Sequence, residues 1–258
     1  MLKKLIKHDF KDLAAYYMPL LLGFIGISVI FLIFFNIMLR SENSITAVLG
    51  VISMVAYIIG LAAVALLSVW IIVYFFYKIT VSDEGYLAMT LPVKASEHIG
   101  ALMIAGAIWM AITTAVYALS LFTVFLISSR TLNLNLSWND IKLYLNYAGL
   151  SMGSEFELST PVIILTVLRG LVYLFTCGLL PFLAIALGQM TKQHKIFFAV
   201  LFYMGISMVV STITALIVEQ ATSLTFTLQI AINLAISIIV SIIYFLVTDY
   251  ILENKLNL

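Results

Sequence analysis

Six long stretches of this chain are nearly or wholly free of charge, and that spacing limits the fold more than any other feature. No charged residue falls in the 27 positions between Asp12 and Arg40, or in the 35 between Glu42 and Lys78. Between His98 and Arg130 lie 31 residues with no ionisable acid or base other than tyrosine. Leu158 to Thr191 is interrupted only by Arg169, and the last two runs hold 23 residues (Lys195 to Glu219) and 29 (Glu219 to Asp249). A helix needs about 20 apolar residues to cross the hydrocarbon core of a bilayer. The runs therefore predict six transmembrane helices and an all-α integral membrane protein.

The second run is long enough to ask whether it crosses twice. Two crossings and a turn need roughly 40 residues or more. The run has no proline, and its glycines are Gly50 and Gly60. One helix, tilted or projecting from the bilayer, is the simpler expectation. Composition agrees with a life in lipid. The chain is 64% hydrophobic and 10% charged, where soluble domains sit near 45–50% apolar and about 25% charged. A net charge of +1 offers no basic field for nucleic acid. The single cysteine, Cys177, lies inside an apolar run and allows no disulfide framework.

Orientation follows from lysine and arginine, which collect on the cytoplasmic side. Six spans place both termini on one side. That side holds Lys3, Lys4, Lys7, Lys11, Lys78, Lys94, Lys192, Lys195 and Lys255; the other holds Arg40, Arg130 and Lys142. The termini are expected in the cytoplasm, with residues 78–98 a cytoplasmic loop and 129–160 an outer loop. The charged start is not read as a cleaved signal. Its apolar run far exceeds a 7–15-residue signal core, and no A-x-A site follows.

Residues 1–17 place Leu2, Leu5, Ile6, Phe10 and Leu13 at helical spacing, with Lys3, Lys4, Lys7 and Lys11 mostly elsewhere on the wheel. This predicts an amphipathic helix on the cytoplasmic leaflet, or lysines that serve only as a topology signal. Pro19 is expected to open the first span, where a missing amide costs least, so the six-span domain is drawn over 18–258. In the third span Ala107, Ala111 and Ala115 recur every four residues, spacing that allows close helix packing in lipid. Within the outer loop, Ser137 to Asp140 resembles a capping box. Trp138, Ile141 and Leu145 share one side of a short helix at the outer interface.

Polar groups inside the spans are few. Arg169 stands eight residues past Pro161, about 12 Å into the fourth span. A charge at depth marks either a substrate path or a side chain that snorkels outward toward Glu155, Glu157 or Glu219. Span five carries Ser207, Ser211 and Thr214. Span six carries Asn233, Ser237 and Ser241, four residues apart. Such stripes either bond between helices or line a path.

Much chemistry is missing. No G-x-x-x-x-G-K-[ST] exists, so the chain is not its own P-loop ATPase and is not read as an enzyme. His8, His98 and His194 are scattered, without metal-ligand spacing. Gly149 to Gly153 matches G-x-S-x-G, but it lies in the outer loop, across the membrane from every histidine. No Asp or Glu falls within a span, which argues against ion-coupled transport.

The segment VSDEGYLAMTLPVKASEHIG, Val81 to Gly100, puts Tyr86, Leu87, Met89 and Leu91 in a cytoplasmic loop. Gly85 and Pro92 bracket one or two helical turns. Asp83 and Glu84 suit the helix N-terminus, and Pro92 stops the helix at Leu91. An apolar patch there marks a protein contact, or a dip into the headgroups.

With the basic start LKKLIKHDFK, the DEGYLAMTLPV segment and the terminal DYILENKLNL, the whole chain resembles a type-2 ATP-binding-cassette exporter permease. This group includes bacterial antibiotic, bacteriocin and peptide-toxin exporters. The resemblance implies a short coupling helix between spans two and three, docked into a separate nucleotide-binding ATPase subunit. Asp83, Glu84, Tyr86, Leu87, Met89 and Leu91 would be its contact set. It implies a working unit of two permeases, identical or not, and two ATPase subunits. ATP and Mg would be held by the partner and no cofactor by this chain. It places the first and fifth spans near each other across the dimer. The substrate would be hydrophobic or amphipathic, a peptide or antibiotic, with Arg169, Asn233, Ser237 and Ser241 as candidate path residues. The outer loop is smaller than the external domains of some relatives. The alternative reading is a non-transporting scaffold or sensor that recruits a cytosolic protein through residues 82–93.

Overall fold

The computed structural model describes residues 2–41, 43–80, 95–131, 160–191, 194–220 and 225–254. Among them are six α-helices and no strand: α1 (Leu2–Arg40), α2 (Ser44–Thr80), α3 (Ala95–Thr131), α4 (Thr160–Gln189), α5 (Lys195–Gln220) and α6 (Phe226–Asn254). Each is long and apolar enough to cross a membrane, with best-window mean hydropathies of 2.1 to 2.7. The chain is a multi-pass membrane protein. The 35-residue run is one helix, α2, as its lack of internal breakers predicts.

Helix α1 departs from the expected boundary. It runs through Pro19 without a break, so residues 1–17 and the first span do not form separate helices. Proline removes one ladder bond and crowds the carbonyl four residues back, yet here the 39-residue helix absorbs it. At 1.5 Å per residue α1 is about 58 Å long, against a hydrocarbon core of about 30 Å. Its basic first turns can therefore lie outside the core while the rest crosses.

The chain divides into two compact units, Met1–Leu13 with Val69–Ala111 and Glu157–Leu258, and Ala14–Ser68 with Ile112–Phe156. In the second unit, Phe24, Phe31, Tyr57 and Val64 form an apolar core. Phe31 stacks on Tyr57 with centroids 4.6 Å apart, and Phe24 meets Tyr117 edge-on at 5.1 Å. A buried polar chain threads this core. Ser28 Oγ donates to the Phe24 carbonyl at 2.8 Å, and Ser120 Oγ donates to Ser28 Oγ at 3.2 Å. With the Ser120 proton used, Tyr57 OH is the donor in its 2.8 Å bond to Ser120. Tyr17 OH closes a further clasp on the Ser68 carbonyl at 2.6 Å.

The first unit holds α4, α5 and α6 with the last third of α2 and the first half of α3. Phe76 and Phe182, both buried, stack at 3.9 Å with their rings 9° from parallel. Small residues let the backbones close. A Cβ at Gly106 would stand 2.9 Å from Ile72 Cδ1, and one at Gly188 would stand 2.7 Å from the Lys195 carbonyl oxygen. The α4–α5 link passes through His194 in the left-handed region, φ 53°. The expected small-residue face of α3 is shifted in phase. Ala101, Ala105 and Gly106 are buried, while Ala107 and Ala111 are half-buried and Ala115 is exposed.

Candidate functional site

The last turns of α2, the first turns of α3 and the end of α6 meet. Thr80, the last residue of α2, donates its hydroxyl back to the Phe76 carbonyl at 2.7 Å. Ile99, Leu102 and Met103 of α3 are buried, as are Thr248, Ile251 and Leu252 of α6. Between them lies a cavity of about 10 Å³, lined by Phe76, Thr80, His98, Ile99, Leu102 and Leu252. That volume matches a single water. His98 Nε2 is buried there and has no hydrogen-bond partner among the described residues. A buried nitrogen beside a water-sized space is the arrangement in which one solvent molecule satisfies a polar group.

A second clasp fixes the N-terminal segment to the same unit. Phe10 stacks on Trp109 at 5.1 Å, and Trp109 Nε1 donates to the Phe10 carbonyl at 3.1 Å. Leu13 is fully buried. The inner part of the apolar stripe expected against lipid headgroups is therefore covered by protein. Lys3, Lys4, Lys7 and Lys11 are all exposed. His8 and Asp12 pair at 3.0 Å on the solvent side, an exposed contact that contributes little.

Asp83, Glu84, Tyr86, Leu87, Met89 and Leu91 lie outside the described residues, as do the 129–160 features from Asn133 to Ser159. Of the candidate path residues, Arg169 is on α4 and the other three lie along α6. Asn233, Ser237 and Ser241 each bond to the carbonyl four residues back on α6, at 3.0, 2.9 and 2.8 Å. Ser241 alone among the three is bonded across to another helix, to Thr176 Oγ1 of α4 at 2.7 Å. The stripe thus serves mainly its own helix, as hydroxyls and amides do where lipid offers no partner. On α5, Ser211 and Thr214 do the same. Arg169 is exposed on α4, and Tyr173 one turn further is within its electrostatic reach.

The residue pattern gave no sign of the Phe76–Phe182 stack, the Phe10–Trp109 clasp or the buried Nε2 of half-buried His98. Among the described residues, no group of three or more His, Cys, Asp or Glu side chains could hold a metal ion. Compared with family models, with curated proteins and with solved structures, the chain matches none.

Proposed function

We propose that the chain is the membrane-spanning permease subunit of a type-2 ATP-binding-cassette exporter in a bacterial plasma membrane, with both termini cytoplasmic. The observation that carries the reading is the pair of helices flanking residues 81–94. Both α2 and α3 have 37 residues, about 55 Å, so each exceeds the hydrocarbon core by about 25 Å. Their ends are joined into a buried foot with α6 and, through Phe76 on Phe182, with α4. A push on 81–94 is then delivered to a packed block and not to a free loop.

On this reading residues 81–94 form the coupling helix, with Asp83 and Glu84 at its start and Tyr86, Leu87, Met89 and Leu91 filling a groove on the ATPase subunit. ATP and Mg act on that partner. Closure of two ATPase subunits shifts the coupling helices, and the attached spans tilt as rigid bodies to open a path outward. Helix α5 buries none of its residues within this chain, which supports a second permease chain beside it.

The test is purification of the full tagged chain from its own cells. An ATPase subunit should co-purify, and Leu87→Asp should abolish the association or lower the ATPase activity about tenfold or more, because it buries an unpaired charge in an apolar groove. Absence of any ATPase, or activity indifferent to Leu87→Asp, overturns the proposal.

A further inference from the structure

Because α1 runs unbroken through Pro19, its lysine-bearing turns continue the first span and each lysine stands at its own depth. A helix lying flat on a leaflet would hold all four at one depth. Lys3, Lys7 and Lys11 recur every four residues, so they share one face, with about 5–6 Å between neighbouring Cβ atoms. Like charges so placed repel, and an anion held between them removes that cost. Phe10 and Leu13 keep another face of the same turns against protein, which leaves the lysines exposed.

Contacts within the first unit set the depth. Trp70 and Tyr74 of α2 stack at 5.5 Å, and both are exposed. Exposed tryptophan and tyrosine toward the end of a span mark the membrane–water interface. Ile72, between them, packs on Gly106 of α3, where a Cβ would stand 2.9 Å from Ile72 Cδ1. Trp109 lies about a turn further along α3, and its side chain leans back toward the start of that helix, to the level of Gly106. Its Nε1 donates to the Phe10 carbonyl at 3.1 Å. Phe10 therefore stands within about a turn of Tyr74 in depth. From Phe10, at 1.5 Å per residue, Lys11 is at the same level, Lys7 is about 4.5 Å nearer the helix start, Lys4 about 9 Å and Lys3 about 10.5 Å. The headgroup zone is about 5–8 Å deep, half the difference between a core of about 30 Å and a whole bilayer of about 40–45 Å. Lys11 and Lys7 fall within it, and Lys4 and Lys3 fall beyond the phosphates.

We propose that Lys7 and Lys11 form a binding site for the headgroup of an anionic phospholipid in the leaflet that surrounds this end of α1, and that Lys3 and Lys4 take little part in it. Two ammonium groups a turn apart at phosphate depth suit one phosphate, which each approaches as a point charge. The lipid then tethers the start of α1, and through the Phe10–Trp109 clasp it steadies the first half of α3. The inference goes beyond the exporter reading. It requires that α1 cross a bilayer, and it requires no ATPase.

The experiment equilibrates the full chain, in an uncharged detergent and without ATP, with phosphatidylglycerol and phosphatidylcholine of matched chains. Native mass spectrometry counts the lipid bound per chain. Phosphatidylglycerol should bind first and in preference. The double change Lys7→Gln with Lys11→Gln should weaken its binding about 25-fold, about fivefold for each lysine removed. Lys3→Gln with Lys4→Gln should weaken it less than about twofold, since these side chains stand beyond the phosphates. Lys7→Arg with Lys11→Arg should keep most of it, which separates loss of charge from damage to the helix. Equal losses in the two glutamine pairs overturn the inference, because they place all four lysines at one depth. It also falls if phosphatidylcholine binds as well as phosphatidylglycerol, or if the arginine pair loses binding. Displacement of the lipid by an equal concentration of inorganic phosphate would make this a free-phosphate site and overturn it too. Should the Lys7→Gln, Lys11→Gln chain bind phosphatidylglycerol normally but lose a co-purifying ATPase subunit, the lysines face a protein and the lipid assignment falls. Leu87→Asp leaves the lipid count unchanged, so failure of the exporter reading and failure of this one are read separately.

Discussion

Gly188→Ala adds one methyl group where α4 and the start of α5 come closest. The new Cβ would stand 2.7 Å from the Lys195 carbonyl oxygen, 2.8 Å from Ala199 Cβ and 2.9 Å from Ala199 N. Carbon–oxygen contacts ordinarily sit near 3.3–3.6 Å and carbon–carbon contacts near 3.5–4.0 Å. The two helices must therefore part by about 0.6 Å or more. Two of the three obstacles are backbone atoms, so no rotamer change relieves them. Overpacking of this kind costs about 1–3 kcal/mol. Alanine returns up to about 1 kcal/mol of helix propensity, less here because Gly188 is the penultimate residue of α4. The net loss is about 1–2 kcal/mol, or roughly 2–8 °C in Tm for a chain of this size. Thermal unfolding of the purified chain in nanodiscs, followed by intrinsic fluorescence, reads it directly. Gly100→Ala is the matched control. Nothing lies within 4 Å of its Cβ position on α3, so propensity alone acts and Tm should hold or rise by a few degrees. A Gly188→Ala chain that unfolds at or above the temperature of the unaltered one would refute the tight α4–α5 approach.

Tyr57→Phe should cost about 0.6 kcal/mol and no more than about 1.7, the range for a hydrogen bond between membrane helices. Its OH donates to Ser120, while the Phe31 stack survives the change; a Tm fall above roughly 7 °C would mean the polar chain does more than one bond's work. Orientation is tested by Lys7→Cys in a Cys177→Ala background, since Cys177 is the chain's sole cysteine. A membrane-impermeant maleimide should label it only after cells are permeabilised, and labelling of intact cells would put the N-terminus outside.

Much of the helix plan was legible from charge alone. Each run between charged residues outlasts the hydrocarbon core, and lipid admits no unsatisfied backbone, so a helix was the available solution for each. The single long α2 followed from the absence of a breaker in its 35 residues. Pro19 misled, because a proline reads as a helix start but an otherwise strong helix can run through it. Residues 81–94 could be singled out for their apolar side chains, whereas the contacts joining the end of α2 to the start of α3 and the end of α6 could not.

The reason lies in what surrounds a membrane helix. A soluble helix announces its buried face by alternating apolar and polar sides. Here the lipid-facing and protein-facing sides are both apolar, so nothing along α3 distinguishes buried Ala101 and Ala105 from exposed Ala115. The residue series determined how many long apolar helices the described residues hold and, the start of α1 apart, roughly where each lies. Packing alone decided that Phe76 meets Phe182, that Trp109 donates to the Phe10 carbonyl, and that Val172 and Phe175 of α4 face Ile238 and Phe245 of α6 across an apolar groove. Those pairings depend on helix rotation and tilt, which van der Waals fit between neighbours sets and which hydrophobicity, equal on every side, leaves open.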